Sequence, residues 1–335
     1  MSLQCQLLLT GGTGFFGRSL LRYWRSLEAL RQNVPQVTVM TRSIENFERD
    51  YPEFCNQSWL QLHHGDVCIP KSYPRGIPFT HVLHAATDST RGPALAPLER
   101  FDQIVVGVRN ALDFAIECKA RRFLYTSSGA VYGMQPPEVD QLYEDRLTMP
   151  DPLSSSNAYG VAKRTAEHLC TLYGDAYGLQ IVNARCFAFL GQDLPLDVHF
   201  AIGNFVRDAL WKDAITVHGD GTALRSYLDQ SDLAHWLVAL LDNGVAGQAY
   251  NVGSDEAISV SALAHLVRDV LAPGKPVQIL GRGHETQARS VYVPNIQKVK
   301  REFGLSVTVP LRSAIQDMAR GVIAAREGTT HPHES

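Results

Sequence analysis

The stretch "TGGTGFFG", residues 10–17, constrains this chain more than any other. It follows a short apolar run, "QLLLT" (6–10), and opens a helical pattern that runs from Phe15 to about Arg31. Glycines at 11, 14 and 17 remove the side chains that would hold a phosphate away. A helix starting there offers backbone N–H groups and the positive end of its dipole to the same spot. The spacing is GxxGxxG, not the GxGxxG of the two-domain dehydrogenases. A glycine trio means little alone. Between a first strand and a first helix it reads as a dinucleotide cradle formed by Gly11, Thr13, Gly14, Phe15, Phe16 and Gly17.

The rest of the first half supports that context. "QVTVMT" (36–41), "WLQLHHGD" (59–66), "THVLHAAT" (80–87), "RFLYTSS" (122–128) and "LQIVNARCF" (179–187) are short, apolar and rich in β-branched residues. Helical stretches at 97–120 and from near Asn157 to about Tyr177 lie between them. Strands alternating with helices predict an α/β fold with a doubly wound parallel sheet. Beyond residue 190 Asp, Pro and Gly punctuation increases. We expect a dinucleotide-binding domain over 1–190 and a smaller α/β substrate lobe over 191–327. Segments near 225–255 should return to the first domain, and 328–335 should fray.

Composition narrows the function classes. Acidic and basic residues number 34 and 31, a net charge of −3 with no basic run, which disfavours a nucleic-acid partner. The six cysteines show no CxxC and no Cys/His cluster, so reduced thiols in a cytoplasmic protein are expected, with no metal. No apolar stretch approaches membrane-spanning length, and the N-terminus reads as a strand, not a leader.

The second strand ends in "VMTRS". An acidic residue usually holds the ribose 2′-hydroxyl at this place in NAD enzymes. Here Arg42 and Ser43 suit a 2′-phosphate, so NADP is favoured over NAD; a solvated arginine is the plainer possibility. Asp66 and Val67, after the third strand, are placed for the adenine, although Asp66 serves equally well as a turn cap.

"NAYGVAKRTAEHL" puts Tyr159 and Lys163 one helical turn apart on one face. A free phenol, with a pKa of about 10, is a poor base at neutral pH. An ammonium about 4 Å away would favour phenolate by roughly 4 kcal/mol at an effective dielectric of 20. Together with the glycine turn and "TSSGAVYG" (126–133), these residues resemble the extended short-chain dehydrogenase/reductase superfamily, in its nucleotide-sugar epimerase/dehydratase branch. The resemblance covers about residues 5 to 310.

The resemblance implies a set of roles. Ser128, Tyr159 and Lys163 would be catalytic, with Ala85 and Ala86 of "HAAT" lining the cofactor. Arg225 and Arg289 would grip the diphosphate of a nucleotide-diphosphate sugar. Asn204 falls where that branch has a substrate-contacting asparagine, and a helix N-cap is its second possible role. His199, Asp88 and Ser89 are further candidate sugar contacts, His199 competing with a packed role. Helices near 97–120 and 157–177 would pair in a homodimer.

Dehydratases of this branch carry acidic residues just after the catalytic hydroxyl, and here Gly129 and Ala130 stand there. Neither transfers a proton. Oxidation and re-reduction at sugar C4, a 4-epimerase, is therefore the first expectation. An NADPH-dependent 4-ketoreductase comes next, and a 4,6-dehydratase is disfavoured. A small-molecule dehydrogenase and a non-catalytic NADP sensor rank below these. The chain departs from the branch at "ARCFAFLGQD", where Ala188 and Phe189 replace its usual asparagine segment.

Overall fold

The computed structural model describes residues 5–87, 94–136, 138–281 and 290–330, with side chains to 327. The first half builds β1 (Gln6–Thr10), α1 (Phe15–Ala29), β2 (Gln36–Thr41), α2 (Ile44–Asp50), β3 (Leu60–His64), β4 (His81–His84), α3 (Pro97–Glu117), β5 (Arg122–Ser128), α4 (Ala158–Tyr177) and β6 (Gln180–Cys186). There follow β7 (Phe189–Leu190), α5 (Ala201–Trp211), β8 (Ile215–Val217), β9 (Leu224–Arg225), β10 (Leu228–Asp229), α6 (Gln230–Asn243) and β11 (Ala249–Val252). The C-terminal part adds β12 (Ile258–Ser259), α7 (Val260–Leu271), β13 (Val277–Ile279), β14 (Val291–Tyr292), α8 (Gln297–Phe303) and α9 (Leu311–Thr330).

Seven strands form one sheet in the order β11-β6-β5-β4-β1-β2-β3, and every pairing is parallel. Helices cover both faces, the arrangement a parallel sheet requires. Leu7, Leu8 and Leu9 of β1 are fully buried, which is why the strand is continuously apolar and does not alternate. One core contains Trp24, Trp236 and Leu237 between sheet, α1 and α6. A second contains Leu112, Phe123 and Ala166 beneath α3 and α4. α6 packs against α1, and β11 extends the sheet beside β6.

The parallel register brings all the strand C-terminal ends to one edge. His84 lies opposite Thr10 and Tyr125, and Ser128 opposite Cys186. The sheet order reverses at β1, between β4 and β2. In such sheets ligands bind outside the carboxyl ends at this switch point. The short pieces β9, β12 and β14 form a separate three-stranded sheet that faces the same edge through Arg225 and Tyr292. Among the described residues no helix is long and apolar enough to cross a membrane, and no group of three metal-type ligands occurs. All six cysteines are free thiols.

Candidate active site

The glycine turn has the shape its sequence demands. Gly11 has φ +78°, and a Cβ there would stand 2.5 Å from the Ala85 carbonyl oxygen. A Cβ on Gly17 would drive into the Gly11 carbonyl and the Gly12 backbone. Gly14 caps α1 with extended backbone and no side-chain acceptor, so the first-turn amides are left to a ligand. This cradle, closed only by atoms a Cβ would displace, fits a dinucleotide pyrophosphate. Gly17→Ala should weaken nicotinamide-cofactor binding roughly tenfold or more, because the turn must open to admit the methyl. A fluorescence titration giving an unchanged Kd would remove the turn from cofactor binding.

Most residues expected at the adenosine have other partners. Arg42 is exposed at the end of β2. The Ser43 hydroxyl accepts from the Asn46 amide as the N-cap of α2 and donates to Glu45 at 3.0 Å. Asp66 takes the turn-cap part, its Oδ1 accepting from the Cys68 amide at 2.8 Å. The Val67 carbonyl accepts from Asn110 at 2.9 Å.

A cavity of about 510 Å³ opens over the sheet edge. Gly14, Phe15, Phe16, Ala85, Ser128, Tyr159, Lys163, His199 and Arg225 all line it. Ser128 ends β5, and its hydroxyl accepts from the Ala130 amide at 3.1 Å. Lys163 is buried on α4 and donates to the Thr126 carbonyl at 2.8 Å and the Thr87 hydroxyl at 3.0 Å. Burial pulls this ammonium down to about 8.

The phenol of Tyr159 departs from expectation. Burial raises it, opposed first by the Ser128 hydroxyl and then by the charge of Arg100. Lys163 is not among its main causes; its Nζ is 5.9 Å from the ring centroid, and two of its three donors go to the Thr126 carbonyl and the Thr87 hydroxyl. The nearer cation is Arg100 in the first turn of α3, whose guanidinium carbon lies 4.3 Å from the same centroid.

Several more candidates fall differently. Asn204 sits within α5 and is not its N-cap. Its amide donates to the Val198 carbonyl and accepts from Arg207, so both ends are spent outside the cavity wall. His199 lines the cavity, its ring 4.2 Å from that of Phe200. Arg225 donates to the carbonyls of Leu224 and Ser290 and has no carboxylate partner among the described residues. Asp88, Ser89 and Arg289 lie outside the described residues.

The residues that sequence reasoning missed come from distant elements. A Cβ on Gly129 would stand 2.6 Å from the Tyr292 hydroxyl and 2.7 Å from the Phe187 ring. Those two rings pack at 4.6 Å between centroids. Burial pushes Tyr292 well above an ordinary phenol, so it is a hydrogen-bond donor at neutral pH. Glycine stands beside Ser128 because two aromatic side chains already occupy the space. Arg100 carries no sequence signal; "PLERF" reads as an ordinary helix start with a solvated arginine.

The chain is 27% identical over 311 residues to UDP-glucuronic acid decarboxylase 1 of Danio rerio, covering 92% of this chain and 71% of that protein. It is 28% identical over 321 residues to UDP-glucuronic acid decarboxylase 4 of Arabidopsis thaliana, covering 94% and 68%. Its fold matches dTDP-glucose 4,6-dehydratase from Bacillus anthracis in complex with NAD, with TM-score 0.81 and 18% identity over 96% of this chain and 98% of that one. It also matches UDP-glucuronic acid 4-epimerase from Bacillus cereus, with TM-score 0.77 and 20% identity over 95% and 99%. The description of one family, "NAD dependent epimerase/dehydratase", fits residues 7–253, and the chain belongs to that family.

Proposed function

We propose that this chain is a nucleotide-sugar 4-epimerase acting by transient oxidation at sugar C4. The observation that carries the reading is the cavity itself. Ser128, Tyr159 and Lys163 face it together, while Tyr292 and Phe187 fill the place where a dehydratase would need an acid beside Ser128. A bound nicotinamide dinucleotide supplies the hydride acceptor and donor. The Tyr159 oxygen takes the proton of the 4-hydroxyl and returns it after the keto sugar has turned over. Ser128 hydrogen-bonds the same sugar oxygen. Lys163, fixed by Thr87 and Thr126, holds the nicotinamide ribose. Arg225 engages the diphosphate with donors that no carboxylate among the described residues occupies.

Within the same proposal, Arg42 favours NADP. Its exposure and the Glu45 carboxylate beside Ser43 keep that preference to a few-fold. A homodimer through α3 and α4 would cover Leu98, Val106, Leu172 and Tyr177, which are exposed in the single chain.

A second reading draws on the UDP-glucuronic acid decarboxylases to which the chain is similar. A ketone at C4 beside a carboxylate on C5 is a β-keto acid; loss of carbon dioxide leaves an enolate that takes its C5 proton from water, so the step needs no acid at 129 or 130. Incubation with UDP-sugars and cofactor, followed by NMR of the product, separates the readings. A C4 epimer with no net cofactor consumed is the expected result. A nucleotide pentose would replace epimerisation by decarboxylation, and stoichiometric loss of NADPH on a 4-keto sugar would make the enzyme a reductase.

A further inference from the structure

Arg100 has no place in the mechanism above, yet its guanidinium is inside the cavity. It stacks on the Tyr159 ring at 4.3 Å, and its buried Nε finds no hydrogen-bond partner. Neither does the rest of its head group make an ion pair with a described residue. A guanidinium held over an aromatic face still has its five N–H donors to offer a ligand. Such a fork matches a planar anion.

The charges of the wall point the same way. Arg100, Lys163 and Arg225 line the cavity, and no Asp or Glu does among the described residues. A nucleotide diphosphate answers Arg225, and Lys163 is tied to β5 and Thr87. Arg100 is the cation left over. Burial pulls it below its ordinary value, and no described carboxylate offsets that.

Position narrows the anion. With Tyr159 addressing the oxygen on C4, Arg100 over its ring is on the C4 side of the sugar. The diphosphate is attached at C1, across the pyranose from C4, and Arg225 is the cation assigned to it. The substituent next to C4 that can be a planar anion is the carboxylate borne by C5. We propose that Arg100 is a specificity residue that binds this carboxylate, and that the substrate is a nucleotide hexuronate. The inference rests on the reading that Tyr159 addresses the sugar 4-hydroxyl, which the nucleotide-sugar proposal supplies.

The test uses matched pairs. Wild-type protein with cofactor is assayed on the glucuronate and glucose forms of UDP-, dTDP- and GDP-sugars, and so are Arg100→Met and Arg100→Lys. In at least one pair the wild type should favour the glucuronate member in kcat/KM. Arg100→Met should collapse that ratio by about 30- to 100-fold, and Arg100→Lys should restore part of it. A role for Arg100 only in stacking on Tyr159 would lower both members equally and leave the ratio unchanged, which overturns the proposal. Wild-type preference for glucose overturns it too, while leaving the nucleotide-sugar reading standing. Turnover of no member, with no thermal stabilisation by any, removes both readings.

Discussion

Tyr159→Phe should lower turnover by about 10²- to 10⁴-fold, the usual effect of losing a positioned proton-transfer group, while the cofactor still binds. The substitution keeps the ring on which Arg100 stacks and removes only the oxygen. The cradle at Gly11, Gly14 and Gly17 lies on a different element and is untouched. Cofactor fluorescence should therefore titrate as in the parent while product formation disappears. Retained turnover would take the acid–base role from Tyr159, and the second phenol of the cavity wall, Tyr292, would be its successor.

The largest effect on stability is expected at Arg185. This residue of β6 donates to Glu167 through Nη2 at 2.8 Å and Nε at 3.0 Å, and through Nη1 to the Tyr132 hydroxyl at 2.9 Å. Ser127 donates to the same carboxylate at 2.5 Å, and the Tyr132 hydroxyl donates to Asn251 at 2.8 Å. The two charged side chains are 12% and 10% exposed, so little water is available to replace a missing partner. Arg185→Met leaves a buried carboxylate beside Ser127. Breaking such a pair costs about 3–5 kcal/mol, a fall in Tm of roughly 4–7 °C at about 2.1 cal/mol/K of unfolding entropy per residue. The double variant Arg185→Met/Glu167→Gln should recover part of the loss. If the single variant melts like the parent, the pair does not hold α4 to the sheet. Because Ser127 precedes Ser128, the network also sets where the hydroxyl proposed to be catalytic sits.

The features legible in the sequence are those that a short window contains. The glycine trio, the apolar strands and the one-turn spacing of Tyr159 and Lys163 each report their own local geometry, and the parallel sheet carries them to one edge. Pairs made by the fold are not legible. Arg100 meets Tyr159 only because α3 packs along α4. Tyr292 reaches Gly129 only because β14 pairs with β9, far along the chain. Spacing alone assigns the activation of Tyr159 to Lys163. It places the two on a shared face correctly, but it does not reveal that the ammonium turns to the Thr126 carbonyl. Resemblance and capping preference put Asn204 at a helix start, whereas the helix begins three residues earlier and Arg207 takes its oxygen.

The crowding above Gly129 also bears on how this enzyme could change its chemistry over time. An acidic side chain at 129 would have to displace the Tyr292 hydroxyl and the Phe187 ring, which belong to separate parts of the chain. A single substitution toward dehydration would thus lose packing before it supplied an acid. A smaller residue at 187 or 292 would have to come first and would bring no new activity by itself. The order of mutational steps is constrained, and a lineage with these aromatic residues in place would be held to the proposed reaction by packing as well as by the absence of the acid.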